Sequence, residues 1–266
     1  MSQNVRVVVA QYAPSANARE NLHAMTGVVE GVADEAPDVV VFPEYSSGFI
    51  PGGGSAMAAL AEPLGGEFVR GLQELSATHG GVTIVAGALV EDQGARNTIV
   101  AVGPDGVLAR AEKIHLYDAF GATESTWLEQ GRLGDVEVLT IGEHTLGFMA
   151  CYDLRFPEVA RRLVDAGATA IVVPAQWVPG PHKILHWETL LRARAIESQC
   201  FVIAAGHPSP EGIGHSQIIA PTGEVLGALG EEPGVAVAEL DVQLVHDQRA
   251  ANPMAKARRL SVQPQL

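Results

Sequence analysis

The sequence predicts an α/β fold in one domain, with mixed β-sheets that carry helices on their outer faces. Three observations predict it. Short continuous apolar runs, such as Val39-Val40-Val41-Phe42 and Ala170 to Val173, have the character of strands buried on both faces. Amphipathic segments of helical period alternate with them. Hairpin-like pairs interrupt the alternation around Gly103-Pro104-Asp105-Gly106, Gly142-Glu143-His144 and Pro221-Thr222-Gly223, so the sheets are mixed rather than wholly parallel. A chain of 266 residues, 47% hydrophobic and 18% charged, is long and apolar enough for a sizeable core. No linker, repeat or low-complexity segment divides it. The domain is drawn as residues 1–245, with 246–266 as a polar tail expected to pack on a partner subunit or fray.

Each element follows from local pattern. Val5 to Ala10 is a strand, ended by Gln11-Tyr12-Ala13-Pro14. Asn17, with Glu20 three residues later, is a capping-box start for a helix whose apolar face is Leu22, Met25, Val29, Val32 and Ala33; Pro37 stops it. Val39 to Phe42 is a buried strand ending at Pro43-Glu44-Tyr45. Phe68, Leu72 and Leu75 mark a second helix closed by Gly80-Gly81, and Thr83 to Leu89 is a strand. Asn97–Val102 and Val107–Ala111 form a hairpin, followed by an irregular polar stretch to about Asp135. Val136–Ile141 and Thr145–Ala150 form the next, and its second strand stops at Cys151. Phe156, Val159, Ala160, Leu163 and Val164 face a helix that ends at Gly167. Ala170 to Val173 is a strand leading to Pro174-Ala175-Gln176-Trp177. A helix from about His182 to Ser198 carries Arg194 on its apolar face, where it needs an acidic partner or a path to water. Cys200 to Ala205, Ile218-Ile219, Val225-Leu226 and Gly234 to Leu240 complete the strands.

Composition removes several classes. The net charge is −14 and the 17 basic residues form no run, so neither nucleic acid nor an anionic membrane surface is an expected partner. Two cysteines make no disulfide framework, no secretory pattern opens the chain, and no apolar stretch reaches membrane-spanning length; the expectation is a cytoplasmic protein. The loop Ser46 to Ser55, with Gly52-Gly53-Gly54, lacks the lysine and hydroxyl of a phosphate loop; a pocket rim and an inert surface loop are both open readings. His182 and His186 stand one helical turn apart, as metal ligands do, but no third ligand is evident, and no metal or cofactor is expected.

Three chemically capable residues follow strands: Glu44, Lys113 and Cys151. In sheets covered by helices, ligands gather at the carboxyl ends of strands. A cysteine at a strand-to-helix corner is expected to be exposed and to have a lowered pKa near the helix start; the competing reading is a small buried hydrophobe. A carboxylate beside it can take its proton and return it to a leaving amine. An ammonium can hold the oxyanion of a tetrahedral intermediate. Taken singly, Glu44 reads first as a loop carboxylate paired with an arginine and Lys113 first as a solvated surface charge. Cys200 reads as core, Asp153 as a cap for the following helix, and His115 as support for the loop after Lys113.

The segments Phe42-Pro43-Glu44-Tyr45, Glu112-Lys113-Ile114-His115-Leu116 and Cys151-Tyr152-Asp153-Leu154-Arg155-Phe156-Pro157-Glu158 resemble the three signatures of the nitrilase superfamily of carbon–nitrogen hydrolases. Leu190 to Glu197 resembles that family's late helix. The likeness runs from Val5 to about Leu240. It implies a four-layer α-β-β-α sandwich with two mixed sheets, and a Glu-Lys-Cys triad of Glu44, Lys113 and Cys151. It also implies an oxyanion donor in the Tyr152 N–H and a second active-site glutamate, Glu124 with Glu129 as its competitor. Relatives commonly form homodimers or higher homo-oligomers, and the helix starting near Phe156 is the candidate contact. The cysteine signature most resembles the small-amidase branch, the deaminated-glutathione amidases and omega-amidases, which act on amides bearing a carboxylate. Arg155 then reads as a carboxylate clamp or as the structural partner of Asp153 or Glu158. Tyr45, Gln176 and Trp177 are candidate pocket walls. Glutamine at 176 departs from the small or apolar residue usual there; its amide is able to donate to or accept from the substrate, which leaves direct transfer of either substrate open. Amide hydrolysis, nitrile or carbamoyl hydrolysis on the same scaffold, and a binding scaffold with an idle triad are the three functional readings.

Overall fold

The computed structural model describes residues 4–134 and 136–263. Asp135 and Pro264, which bound the irregular stretch and mark the polar end, lie outside the described residues. The first half of the chain runs β1 (Val5–Gln11), α1 (Ala18–Gly31), β2 (Val39–Val41), α2 (Glu67–Thr78), β3 (Thr83–Glu91), β4 (Ala95–Gly103) and β5 (Gly106–Glu112). The second runs β6 (Val138–Ile141), β7 (His144–Phe148), α3 (Pro157–Asp165), β8 (Ala170–Ala175), α4 (Lys183–Ser198), β9 (Phe201–Gly206), β10 (Gln217–Ile219) and β11 (Val225–Ala228). β12 (Gly234–Leu240), α5 (Val242–Ala251) and α6 (Met254–Ala257) follow.

Two six-stranded sheets result, in the orders β12-β1-β2-β3-β4-β5 and β11-β10-β9-β8-β7-β6. Each has a parallel centre (β1, β2, β3 and β7, β8, β9) and antiparallel flanks. The period-2 pleat divides each strand between two cores. Val7, Val9, Val41 and Val85 of the first sheet meet Phe148, Val172, Ile203 and Ala205 of the second in a core between the sheets. Val8, Val40 and Ile84 turn outward onto Met25, Val29, Phe68 and Leu72 of α1 and α2. Ile171, Val173 and Val202 turn outward onto Val159, Leu163, Trp187 and Leu191 of α3 and α4. The chain is therefore an α-β-β-α sandwich. Central strands with helices on one face and a sheet on the other have no polar side, which is why they read as unbroken apolar runs. Among the described residues, no helix is long and apolar enough to cross a membrane.

Three local expectations change. Asn17 caps α1 through Arg19 N (3.0 Å), but Glu20 reaches Ser15 Oγ (2.7 Å), and that hydroxyl in turn accepts the Asn17 N–H (3.0 Å), so the box closes through a serine. The cysteine is followed by a 3-10 turn, Cys151–Arg155, and α3 begins only at Pro157, whose fixed φ suits a first helical position. The polar end opens with a helix: Asp241 caps α5 by accepting from Gln243 N (2.9 Å), and Val242 and Val245 are buried. The segment looked polar because α5 docks largely by hydrogen bonds. Gln199 Nε2 donates to Gln248 O (3.1 Å) and Asn252 O (2.9 Å), and Arg249 donates to Ala168 O (2.7 Å).

Candidate active site

The ends of β2, β5, β7 and β8 converge, and each delivers one part of a buried polar cluster. Glu44 stands in the turn after β2, where Tyr45 has φ 59°. That turn packs against β3 so closely that a Cβ on Gly87 would lie 2.5 Å from Glu44 Cα. Only glycine leaves room there. Lys113 follows β5; its N–H donates to Asn97 O (2.8 Å) and its carbonyl accepts from Gly131 N (2.8 Å). Cys151 follows β7 with φ 42°, a left-handed conformation costly for a side-chain-bearing residue and held by its surroundings. Asp153 supplies much of that hold. Its carboxylate accepts from Ala150 N (3.2 Å), His115 N (2.9 Å) and Ile114 N (3.4 Å), and pairs with His115 Nδ1 (2.8 Å). Asp153 thus caps the turn that carries Cys151 and fastens it to the loop after Lys113, rather than capping α3. His115 supports that loop as expected, its ring stacked on Phe156 at 3.6 Å. Arg194 finds the acidic partner that its burial demands in Glu197 Oε1 (2.6 Å), and it also donates to Leu154 O (2.7 Å) in the turn that follows Cys151.

Within the cluster Glu44 Oε1 accepts from Lys113 Nζ (3.0 Å) and Asn97 Nδ2 (2.6 Å), and Oε2 accepts from Gln176 N (2.7 Å). Lys113 Nζ also donates to Glu124 Oε1 (2.9 Å), and Glu124 further accepts from Tyr117 N (2.6 Å) and the Tyr45 hydroxyl. Lys113 is 2% exposed and Glu44 1%. Burial opposes the Lys113 ammonium, but Glu124 and Glu44 outweigh it and lift the amine well above the ordinary lysine value. Burial likewise lifts the Tyr45 phenol, which stays a donor.

Cys151 corrects an expectation. The residue is 7% exposed, and its thiol is pushed well above the ordinary cysteine value, first by burial and then by the Glu44 charge, with Lys113 opposing. The helix start that was to lower it is a single 3-10 turn, whose dipole is small against the desolvation of an anion. The resting group is a thiol, its Sγ 3.6 Å from Gln176 O.

The other expected site residues divide. Tyr45, Tyr152, Arg155, Gln176 and Trp177 all line the pocket beside Cys151. Tyr152 packs edge-on against Tyr117 and Phe156. Gln176 contributes mainly backbone: its side-chain amide donates to Glu211 O, pointing away from the donor-or-acceptor role expected toward a substrate. Arg155 forms neither expected ion pair; its guanidinium lies 4.7 Å over the Trp177 ring, and Nε and Nη2 are buried with no acceptor among the described residues. Glu124 is in the cluster, whereas Glu129 is exposed beside Gly94. Cys200 is fully buried. The rings of His182 and His186 are 6.3 Å apart. The glycine loop is a rim: Gly52, Gly53 and Gly54 line a cavity of about 1090 Å³ that shares Tyr45, Tyr117, Glu124, Gln176, Val178 and Lys183 with the inner pocket.

Sequence reasoning missed Asn97, Tyr117, Lys183 and His207. Lys183 carried a signal, since the chain has only three lysines. His207 carried none: its Nε2–H donates to Glu44 O (2.6 Å) across 163 residues, and burial pushes the imidazole down to about 4. The unfolded chain takes up that proton near the ordinary 6.5, so stability is full above that pH and falls as pH drops toward 4, by about 3 kcal/mol in all. Urea midpoints at pH 7 and pH 4.5 are expected to show a smaller acid loss for His207→Gln than for the wild type.

Comparison with known proteins agrees with this architecture. The family described as Carbon-nitrogen hydrolase matches residues 6–250. The deaminated glutathione amidase of Escherichia coli O157:H7 is 34% identical over 261 residues, covering 98% of this chain and 99% of its own. The omega-amidase NIT2 of Danio rerio is 33% identical over 267 residues, covering 96% and 94%. The crystal structure of Saccharomyces cerevisiae Nit3, a nitrilase-superfamily member, superposes with a TM-score of 0.84 at 25% identity, covering 98% of both chains. With a matching family over nearly its whole length, amidase relatives that align with nearly the whole chain and the fold of the superfamily, the chain belongs to the carbon–nitrogen hydrolases.

Proposed function

We propose that the protein hydrolyses a small amide bearing a carboxylate, through a thioester on Cys151. The observation that carries this reading is the cluster itself: thiol, carboxylate and ammonium buried together, with Lys113 Nζ 3.0 Å from Glu44. Because the thiol is raised, a base has to take its proton as it attacks, and Glu44 is that base. The sulfur adds to the amide carbon. Lys113 and the Tyr152 N–H hold the oxyanion. Protonated Glu44 gives its proton to the nitrogen, the C–N bond breaks, and ammonia or an amine leaves a thioester. Water then adds to the thioester carbon, losing its proton to Glu44. The C–S bond breaks, and Cys151 recovers the proton from Glu44 as the carboxylic acid departs. Glu124 orients Lys113 and the reacting amide. No resident metal or cofactor enters the cycle. The substrate class rests on Arg155, whose unpartnered Nε–Nη2 edge presents two parallel donors to a carboxylate, and it accords with the two amidase relatives. A cytoplasmic setting suits a free thiol nucleophile.

The test is ammonia release from four matched compounds, a carboxylate-bearing amide, its neutral isostere, the corresponding nitrile and the N-carbamoyl derivative, with intact-mass detection of an acyl adduct on Cys151. The acidic amide is expected to lead its neutral isostere by about 10- to 100-fold in kcat/KM, the worth of a charge-assisted hydrogen bond pair. Faster turnover of the nitrile or carbamoyl compound, or turnover with no adduct, would overturn the reading.

A further inference from the structure

We infer that Lys183 is the second half of the carboxylate site, so that the substrate's anionic end is held between the Arg155 guanidinium and the Lys183 ammonium. The inference rests on the amidase reading for its substrate and on independent geometry for its residue. Lys183 opens α4 and is buried, yet among the described residues no carboxylate lies within 4.0 Å of its Nζ. Its contacts are the Tyr117 hydroxyl (2.9 Å) and the faces of Phe120 (4.5 Å), Tyr117 (5.1 Å) and Trp177 (5.7 Å). Buried cations are ordinarily paired, because removal from water is otherwise uncompensated. Arg155 is in the same condition and leans on the same Trp177 indole. Two cations without anions at one end of one pocket describe a place for an anion.

The charge inventory agrees. The pocket lining holds two carboxylates, Glu44 and Glu124, and three cations, Lys113, Arg155 and Lys183. Lys113 is committed to both carboxylates. One further negative charge, brought by the substrate, makes the lining neutral. Position agrees as well: Lys183 lines both the inner pocket and the outer cavity, so an anion held there sits where the acyl chain enters. Burial and the Arg155 charge both press the ammonium toward its neutral form, a pressure that a bound carboxylate would relieve.

Two measurements test this. In the first, wild type, Lys183→Met, Lys183→Gln and Lys183→Arg are compared on glutaramate and on 5-methylhexanamide, in which an isopropyl group replaces the carboxylate. Met or Gln is expected to lower the ratio of kcat/KM for the acidic over the neutral amide by about 10- to 100-fold, chiefly through KM, and Arg to restore most of it. An equal loss on both amides would assign Lys183 to packing of Tyr117, Phe120 and Trp177 and overturn the inference. The second needs no turnover: glutarate binding to Cys151→Ala protein by calorimetry, with and without Lys183→Met. A Kd raised about tenfold or more supports the site; an unchanged Kd, or no glutarate binding at all, sinks it. Lys183-dependent glutarate binding without hydrolysis of any amide would instead count against the amidase reading alone.

Discussion

Cys151→Ala is expected to lose at least about 10⁴-fold in kcat on any good amide substrate, with thermal and urea unfolding close to wild type. On the proposed thioester route the activity term is large, because nucleophile, base and oxyanion donors would act as a unit and removing Cys151 closes that route altogether. The stability term is small for a visible reason. Among the described residues the sulfur has a weak contact at 3.6 Å to Gln176 O and an interaction with Glu44, while the left-handed turn around it is held by Asp153 and Arg194 rather than by the thiol. Removing this one buried atom costs on the order of 1 kcal/mol, because Glu44 keeps its bonds to Lys113, Asn97 and the Gln176 N–H without the thiol. Ammonia release and a urea melt on the same preparation check both halves. Residual hydrolysis within tenfold of wild type would end the thioester scheme, whatever the melt shows.

Lys113→Met is expected to cost both activity and fold. Among the described residues the ammonium is the single cation between two buried carboxylates, 3.0 Å from Glu44 and 2.9 Å from Glu124. Without it the two acids face one another out of water, and breaking a buried pair by removing one partner costs about 3–5 kcal/mol. Asn97, Tyr45, Tyr117 and the Gln176 N–H remain as donors but bring no compensating charge. Chemical denaturation should therefore place Lys113→Met several kcal/mol below wild type. The double variant Lys113→Met/Glu124→Gln, which removes one of the stranded charges, should regain much of that loss while staying inactive. A single variant as stable as wild type would mean that the cluster is not charged as described.

The division between sequence and structure follows from the range of each interaction. Strand and helix positions were legible because burial on two faces, helical period and capping act within a few residues; Val39 to Phe42, the Asn17 cap and the Gly103–Gly106 hairpin needed nothing from elsewhere. The candidate chemistry was legible for a related reason. Glu44, Lys113 and Cys151 each stand just past a strand, in motifs whose order along the chain is itself the signal. Where the sequence went wrong, the deciding term was tertiary. Burial by the surrounding layers and the nearby Glu44 charge raised a thiol that its local corner should have lowered. Gln176 turned its amide to Glu211, 35 residues away, and α5 found its partners through Gln199 and Ala168. His207 reached the Glu44 backbone from the far sheet. The sequence by itself determined the layers of the sandwich and which side chains could react. Only the folded chain decided the Cys151 and Lys113 pKa shifts, the hydrogen bonds of the cluster and which cations, Arg155 and Lys183, were left without an acid among the described residues, because desolvation and Coulomb energy depend on neighbours brought together from distant parts of the chain.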